Sequence, residues 1–259
     1  MRGLFVVAAK DLKTYFMSPL FYVVAGVCTI VWSFVFGTAI DQFMAASVSQ
    51  MMQSLQGESD PGINLHRTVI AYHASIVNLL MIMAAAALSM RLLAEEKKQR
   101  TFDLLLTSPI TATDIALGKW LAGTLACWGL LAITLLYPVS LVFFGPVEWG
   151  PLATTYIGLM LLSGVYVSVG LFASSLTESS VLAVVMAILF SFMLFFISAP
   201  AQSADGPIEK AVFEHLSIGT HLSTFVGGSL ALSAVVFFAS LIFLFTLLTQ
   251  RVIESARWR

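Results

Sequence analysis

The stretch "AEEKKQRTFDLLLTSP", residues 94–109, gathers charge in a chain that otherwise avoids it. Five of the six residues from Glu95 to Arg100 are ionisable, while only 10% of the 259 residues are charged and 59% are hydrophobic. Soluble domains carry roughly 25% charged residues, and a mean hydropathy of +0.93 points instead to a polytopic membrane protein. Outward from the stretch lie apolar runs long enough for the roughly 20 helical residues that cross a bilayer core about 30 Å thick. Six occur: Leu20–Ile40, Val69–Met90, Trp120–Phe144, Leu152–Ser174, Val181–Ala199 and Val226–Leu248, none with an Asp, Glu, Lys or Arg in its interior. They predict an all-α fold of six transmembrane helices in a single membrane domain, residues 1–259.

Sidedness follows from the basic residues. Eleven of the 13 flank the spans on one side, in the N-terminal segment, the loop 91–119 and the C-terminal tail, and only Arg67 and Lys210 fall on the other. This predicts a bacterial inner-membrane protein with both termini and the quoted stretch in the cytoplasm. The first apolar run, at 21 residues, exceeds a signal-peptide core of about 7–15 residues and reads as a retained span. Cys28 and Cys127 lie inside apolar runs and imply no disulfide or CxxC site.

The first 17 residues read as an amphipathic helix in the membrane interface, Phe5, Ala8, Ala9, Leu12, Tyr15 and Phe16 on one face and Lys10 and Lys13 opposite. Ser18-Pro19 supplies an N-cap and an N1 proline for the first span. The outer connection 41–68 carries Met44, Val48, Met51, Met52 and Leu55 at helical spacing, a hydrophobic face rather than a soft-metal site, ending near Gly57 and "SDPG". The outer segment 200–225 contains a helix from Pro207, lying on the surface or dipping back toward the bilayer through residues 207–222.

Catalytic chemistry has no foothold. His66, His73, His215 and His221 lack the i, i+3 or i, i+4 spacing of helical metal ligands. Ser163 reads as a small packing residue. "LGK" at Leu117–Lys119 has threonine at 113, where a phosphate-binding loop needs glycine. With no ionisable residue deep in a span to hold a coupling proton, energy for any uphill transport has to come from another subunit. No metal, cofactor or nucleic-acid partner is expected.

Nine of the 27 charged residues fall between Arg91 and Lys119. Phe102, Leu105 and Leu106 form an apolar ridge on a short helix that Pro109 stops. Thr111 and Asp114 make a capping box, with Ile110 and Ile115 as a hydrophobic staple, which sets the angle of the third span. The ridge has two readings. It folds back onto the membrane surface, or it faces the cytosol and fills a groove on a soluble partner. Pro138 frees the carbonyl of Thr134 and offers a kink in the third span, and Gly118, Ala122 and Ala126 give that span a small-residue face.

"EEKKQRTFDLLLTSPITATDIALGK" resembles the loop between spans two and three of ABC-2 type permeases, the membrane subunits of a class of ABC exporters. "KDLKTYFMSPLFYV" and "GLFASSLTESSVLA" resemble the gliding-motility-associated subgroup. The resemblance implies a permease that works with a cytoplasmic ABC ATPase dimer, the ATP and magnesium belonging to that partner. It also implies a second permease subunit, the same chain or a membrane protein with a large outer domain. Glu96, Arg100, Phe102, Leu105, Leu106 and Pro109 then belong to the coupling helix, Thr111, Asp114 and Pro138 to its rigid connection and hinge. Lys10, Lys13 and Phe16 belong to the interfacial helix. Arg100 stands where the family commonly has glycine, which puts the tight bend there in question. A secondary carrier or channel, or a non-transporting scaffold of an envelope complex, are the alternatives.

Overall fold

The computed structural model describes residues 2–55, 64–143, 147–197 and 206–257, all helix and connections with no strand among them. The amphipathic segment forms α1 (Arg2–Met17), and Ser18 alone separates it from α2 (Pro19–Leu55). Ser18 is held off helical geometry by the following proline, and its Oγ accepts from the Leu20 amide at 3.2 Å, so one helix ends and another begins within a residue.

α2 is 37 residues long, about 55 Å at 1.5 Å per residue. The first span and the methionine-bearing outer helix are therefore one rod, not a span followed by a separate helix. Residues 56–63, with Gly57 and the "SDPG" turn, lie outside the described residues. A π-helical turn, His66–Ile70, leads into α3 (Ala71–Ser89), then the short helices α4 (Ala94–Lys98) and α5 (Phe102–Thr107). α6 (Ala112–Thr134) continues as α7 (Leu136–Ser140), with the break at Leu135, one turn before Pro138. α8 (Trp149–Leu176) and α9 (Ser180–Phe196) follow, then α10 (Pro207–Leu216), α11 (Ile218–Val226) and α12 (Leu232–Arg257).

Five helical stretches among the described residues are long and apolar enough to cross a membrane; α9, at 17 residues, is a shorter apolar helix. The six-span count thus rests on α9, which covers Val181 to Phe196 of the expected fifth span. The last span begins later than its hydropathy suggested. α11 takes residues up to Val226, Gly228 turns the chain at φ +88°, and α12 starts at Leu232.

α8 is the central post. It packs against α12, α9, α3, α6 and α11, and its small residues let these neighbours approach. A Cβ on Gly158 would stand 2.8 Å from Phe225 of α11, so only glycine fits there. Lipid cannot drive helices together by hydrophobicity, so close packing of this kind carries the bundle. Gly118, Ala122 and Ala126 are buried, but Gly118 abuts Leu4 and Val7 of α1 rather than another span.

Candidate functional site

One end of the bundle holds α1, the 91–119 hairpin and the end of α12, and it also holds most of the described charge. The hairpin begins on a fixed base. Ser174 Oγ of α8 accepts from the amides of Leu93 (3.2 Å) and Ala94 (2.8 Å) and donates to the Met90 carbonyl, capping α4 from another helix. Arg91 pairs with Glu95 at 2.6 Å and donates to Ser18 Oγ, which ties the hairpin to the α1–α2 joint. Lys97 donates to the Ser175 carbonyl and stands 5.5 Å from the Phe102 ring centre.

α4 ends in a Schellman motif. Thr101 N–H donates to the Glu96 carbonyl at 3.0 Å and Arg100 N–H to the Lys97 carbonyl at 3.1 Å. The position that favours glycine is Arg100, with φ +57°. The tight bend is kept although the glycine is not.

α5 does not present the expected ridge to solvent. Phe102 is 6% exposed, and Leu105 and Leu106 are half-buried against the main core, so the ridge turns inward. The inward turn follows from the αL bend at Arg100, which swings α5 back over α4. The large apolar side chain left outside is Leu104, 72% exposed. Arg100 and Pro109 are exposed, and Glu96 is half-buried. Beside α5 runs an open groove edged by Lys97, Lys98, Arg100, Phe102, Leu106 and Glu178.

After Pro109 the chain re-enters helix under a cap, the Thr111 Oγ1 accepting from the Asp114 amide at 3.1 Å, with Ile115 fully buried. The Arg257 guanidinium donates to the Ile110 carbonyl, bringing the end of α12 onto the hairpin.

Two turns into α6, Lys119 is 1% exposed and lies 3.0 Å from Asp11 Oδ2 of α1 and 2.8 Å from Glu96 Oε2 of α4. Lys10 completes the group at 3.0 Å from Glu96 Oε1 and 3.6 Å from Asp11 Oδ1. Two ammonium groups thus balance two carboxylates across three elements. Burial alone would lower the Lys10 pKa; the Glu96 hydrogen bond and the charges of Glu96 and Asp11 outweigh it and raise the value above 10.5. Tyr15, one turn on, is buried and donates to the Leu88 carbonyl at 2.8 Å, and burial with the nearby Asp11 charge pushes its phenol well above 10.

The cluster also corrects the face assigned to α1. The buried side is Val7, Ala8, Asp11 and Tyr15, while Phe5 (65%) and Phe16 (43%) look outward with Lys13. An acidic residue sits on the packed face because Lys119 lies beneath it. Asp11 and Lys119 were absent from the expected site residues. Their signal was an acid at an apolar register of α1 and a lysine beside Gly118 in an apolar helix, opposite signs 108 residues apart.

At the opposite end, α11 lies on the start of α8. Thr154 Oγ1 donates to the Phe225 carbonyl at 2.6 Å, and His66 Nε2 meets the Val226 carbonyl at 2.8 Å. His221 and His215 are spent on each other and on Phe237. Among the described residues no group of three His, Cys, Asp or Glu could hold a metal ion.

The family described as ABC-2 family transporter protein matches residues 5–226, from α1 through the charged cluster to the end of α11. No curated protein matches the chain.

Proposed function

The chain belongs to the ABC-2 transporter family, and from that premise we propose that it receives work from a separate ABC ATPase at the charged end of the bundle. Members of this family are membrane transport components and are not themselves catalytic. In the proposed arrangement the charged end faces the cytoplasm of a bacterial inner membrane. α1 lies in the interface with Phe5 and Phe16 toward lipid, and α5 is the coupling helix of an exporter. The ATP and its magnesium stay with the ATPase dimer. The second permease subunit of the pair is a copy of this chain or, as the gliding-motility-like segments suggest, a different membrane protein.

The observation that carries this reading is the buried Lys119, which holds Asp11 of α1 and Glu96 of α4 in one unit with α6. A push on α5 cannot be absorbed by a loose loop. It reaches α6 through the Thr111 cap and reaches α1 and α8 through the ion cluster and Ser174. A loop serving only as a sidedness signal would not need a charge cluster buried at such desolvation cost.

Leu104 is the exposed anchor for a partner cleft. A large apolar side chain buried at an interface is worth about 1.5–3 kcal/mol, so Leu104→Asp is expected to lose the ATPase on co-purification while inserting normally. Full retention of the ATPase by this variant would refute the docking role. Phe102→Asp is the less clean test, because it places a carboxylate inside the fold.

A further inference from the structure

α2 leaves the bundle with one side uncovered over most of its length. Its packed side, which includes Phe21, Trp32 and Phe36, stops being buried after Ala39. The opposite side carries a residue at alternating steps of four and three from Val23 to Leu55. In the membrane-crossing half these are Val23, Val27, Ile30 and Phe34, 58–72% exposed. Farther out they are Met44, Val48, Met51 and Leu55, 56–80% exposed. Gly37 and Asp41, both exposed, fill the two positions between.

Lipid covers the first group. A rod of about 55 Å overshoots a hydrocarbon core of about 30 Å, so the second group stands where lipid no longer reaches. The spacing identifies what covers it. A strict 3.5-residue repeat drifts about 20° per heptad on a straight helix and stays on one side only when two helices wind around each other. One partner helix, as long as α2 and at the same membrane level, must therefore follow the whole seam.

We propose that this partner is α2 of a second copy of the chain, parallel and related by a two-fold axis along the membrane normal. Identical insertion gives the second copy the same direction, level and seam without further adjustment. The area is adequate. A large apolar side chain carries roughly 60–120 Å², so eight at about two-thirds exposure provide on the order of 300–650 Å² per copy. Flanking Tyr22 and Met52, both exposed, add toward the roughly 800 Å² per partner of a standard interface. Asp41 is the one charge in the seam and meets its own copy where the rod leaves the membrane, so its repulsion holds the pair below its full affinity.

Disulfide trapping in membranes that contain the full chain tests this pairing. Val48→Cys and Met51→Cys lie on the seam, Ser49→Cys and Gln53→Cys beside it. All four positions are exposed, and native Cys28 and Cys127 are buried, with the unsubstituted chain as control. Oxidation with copper phenanthroline is expected to give a product of twice the 28.0 kDa chain from the seam cysteines. The yield should be at least about fivefold above that of the other two, since only a and d positions face across a parallel pair. Asp41→Asn is expected to raise the seam yield. Equal yields at all four positions, no dimer, or an adduct with a different polypeptide would overturn the proposal. So would a lower yield with Asp41→Asn, the mark of a partner that offers a basic group to Asp41. None of these outcomes bears on ATPase docking, which sits at the other end of the molecule.

Discussion

Single residues at the charged end show where local rules were bent. A side chain at φ +57° on Arg100 costs roughly 1–2 kcal/mol against glycine, partly offset by the freedom glycine has in the unfolded chain. Arg100→Gly is therefore expected to stabilise the protein by a net of about 0.5–1 kcal/mol, read as a higher midpoint of thermal unfolding in detergent. An unchanged or lower midpoint would show that the Arg100 side chain makes a compensating contact. Lys119 is the opposite case, a local oddity that the structure satisfies completely. Lys119→Met leaves Asp11 and Glu96 to share Lys10, and breaking a buried pair in this way costs roughly 3–5 kcal/mol. Adding Asp11→Leu restores one lysine to one carboxylate, so the double variant is expected to be more stable than Lys119→Met alone. A double variant that unfolds at the same temperature or lower would mean that the cluster is not a charge-balanced unit.

Among the elements, helix existence was legible and helix facing was not. The Thr111 cap and the stop at Pro109 follow from side-chain chemistry within a few residues, and both appear as read. The ridge of Phe102, Leu105 and Leu106 was equally legible as a ridge. Its direction depends on the backbone turn at Arg100 and on the floor supplied by Ser174 and Ser175, about eighty residues away. In α1 the choice between two overlapping faces was made by Lys119, because pairing Asp11 outweighs burying Phe5 or Phe16. In α2 no breaker lies between Pro19 and Leu55, so span and outer helix merge. A polar composition beyond Ile40 signals the end of the membrane but not the end of the helix.

At the scale of the whole molecule, the charge segregates to one end. Basic residues cross a bilayer poorly, so the end with α1, the hairpin and the α12 terminus is expected to stay in the cytoplasm. Exposed Gln99 and Gln53 lie at opposite ends. A membrane-impermeant maleimide is expected to label Gln53→Cys in spheroplasts and Gln99→Cys only after lysis. Labelling of Gln99→Cys before lysis would reverse the orientation and remove the ATPase from reach. Length, apolar runs and the position of charge sufficed by themselves to identify a helical membrane protein and its charged hairpin, since both depend on the free energy of transferring side chains one stretch at a time. Which side of α1 and α5 is buried, that Asp11 and Glu96 converge on Lys119, and that α2 keeps an uncovered seam were decided only by the tertiary structure. Those features depend on the mutual placement of residues far apart in the chain, where packing and charge pairing overrule local pattern.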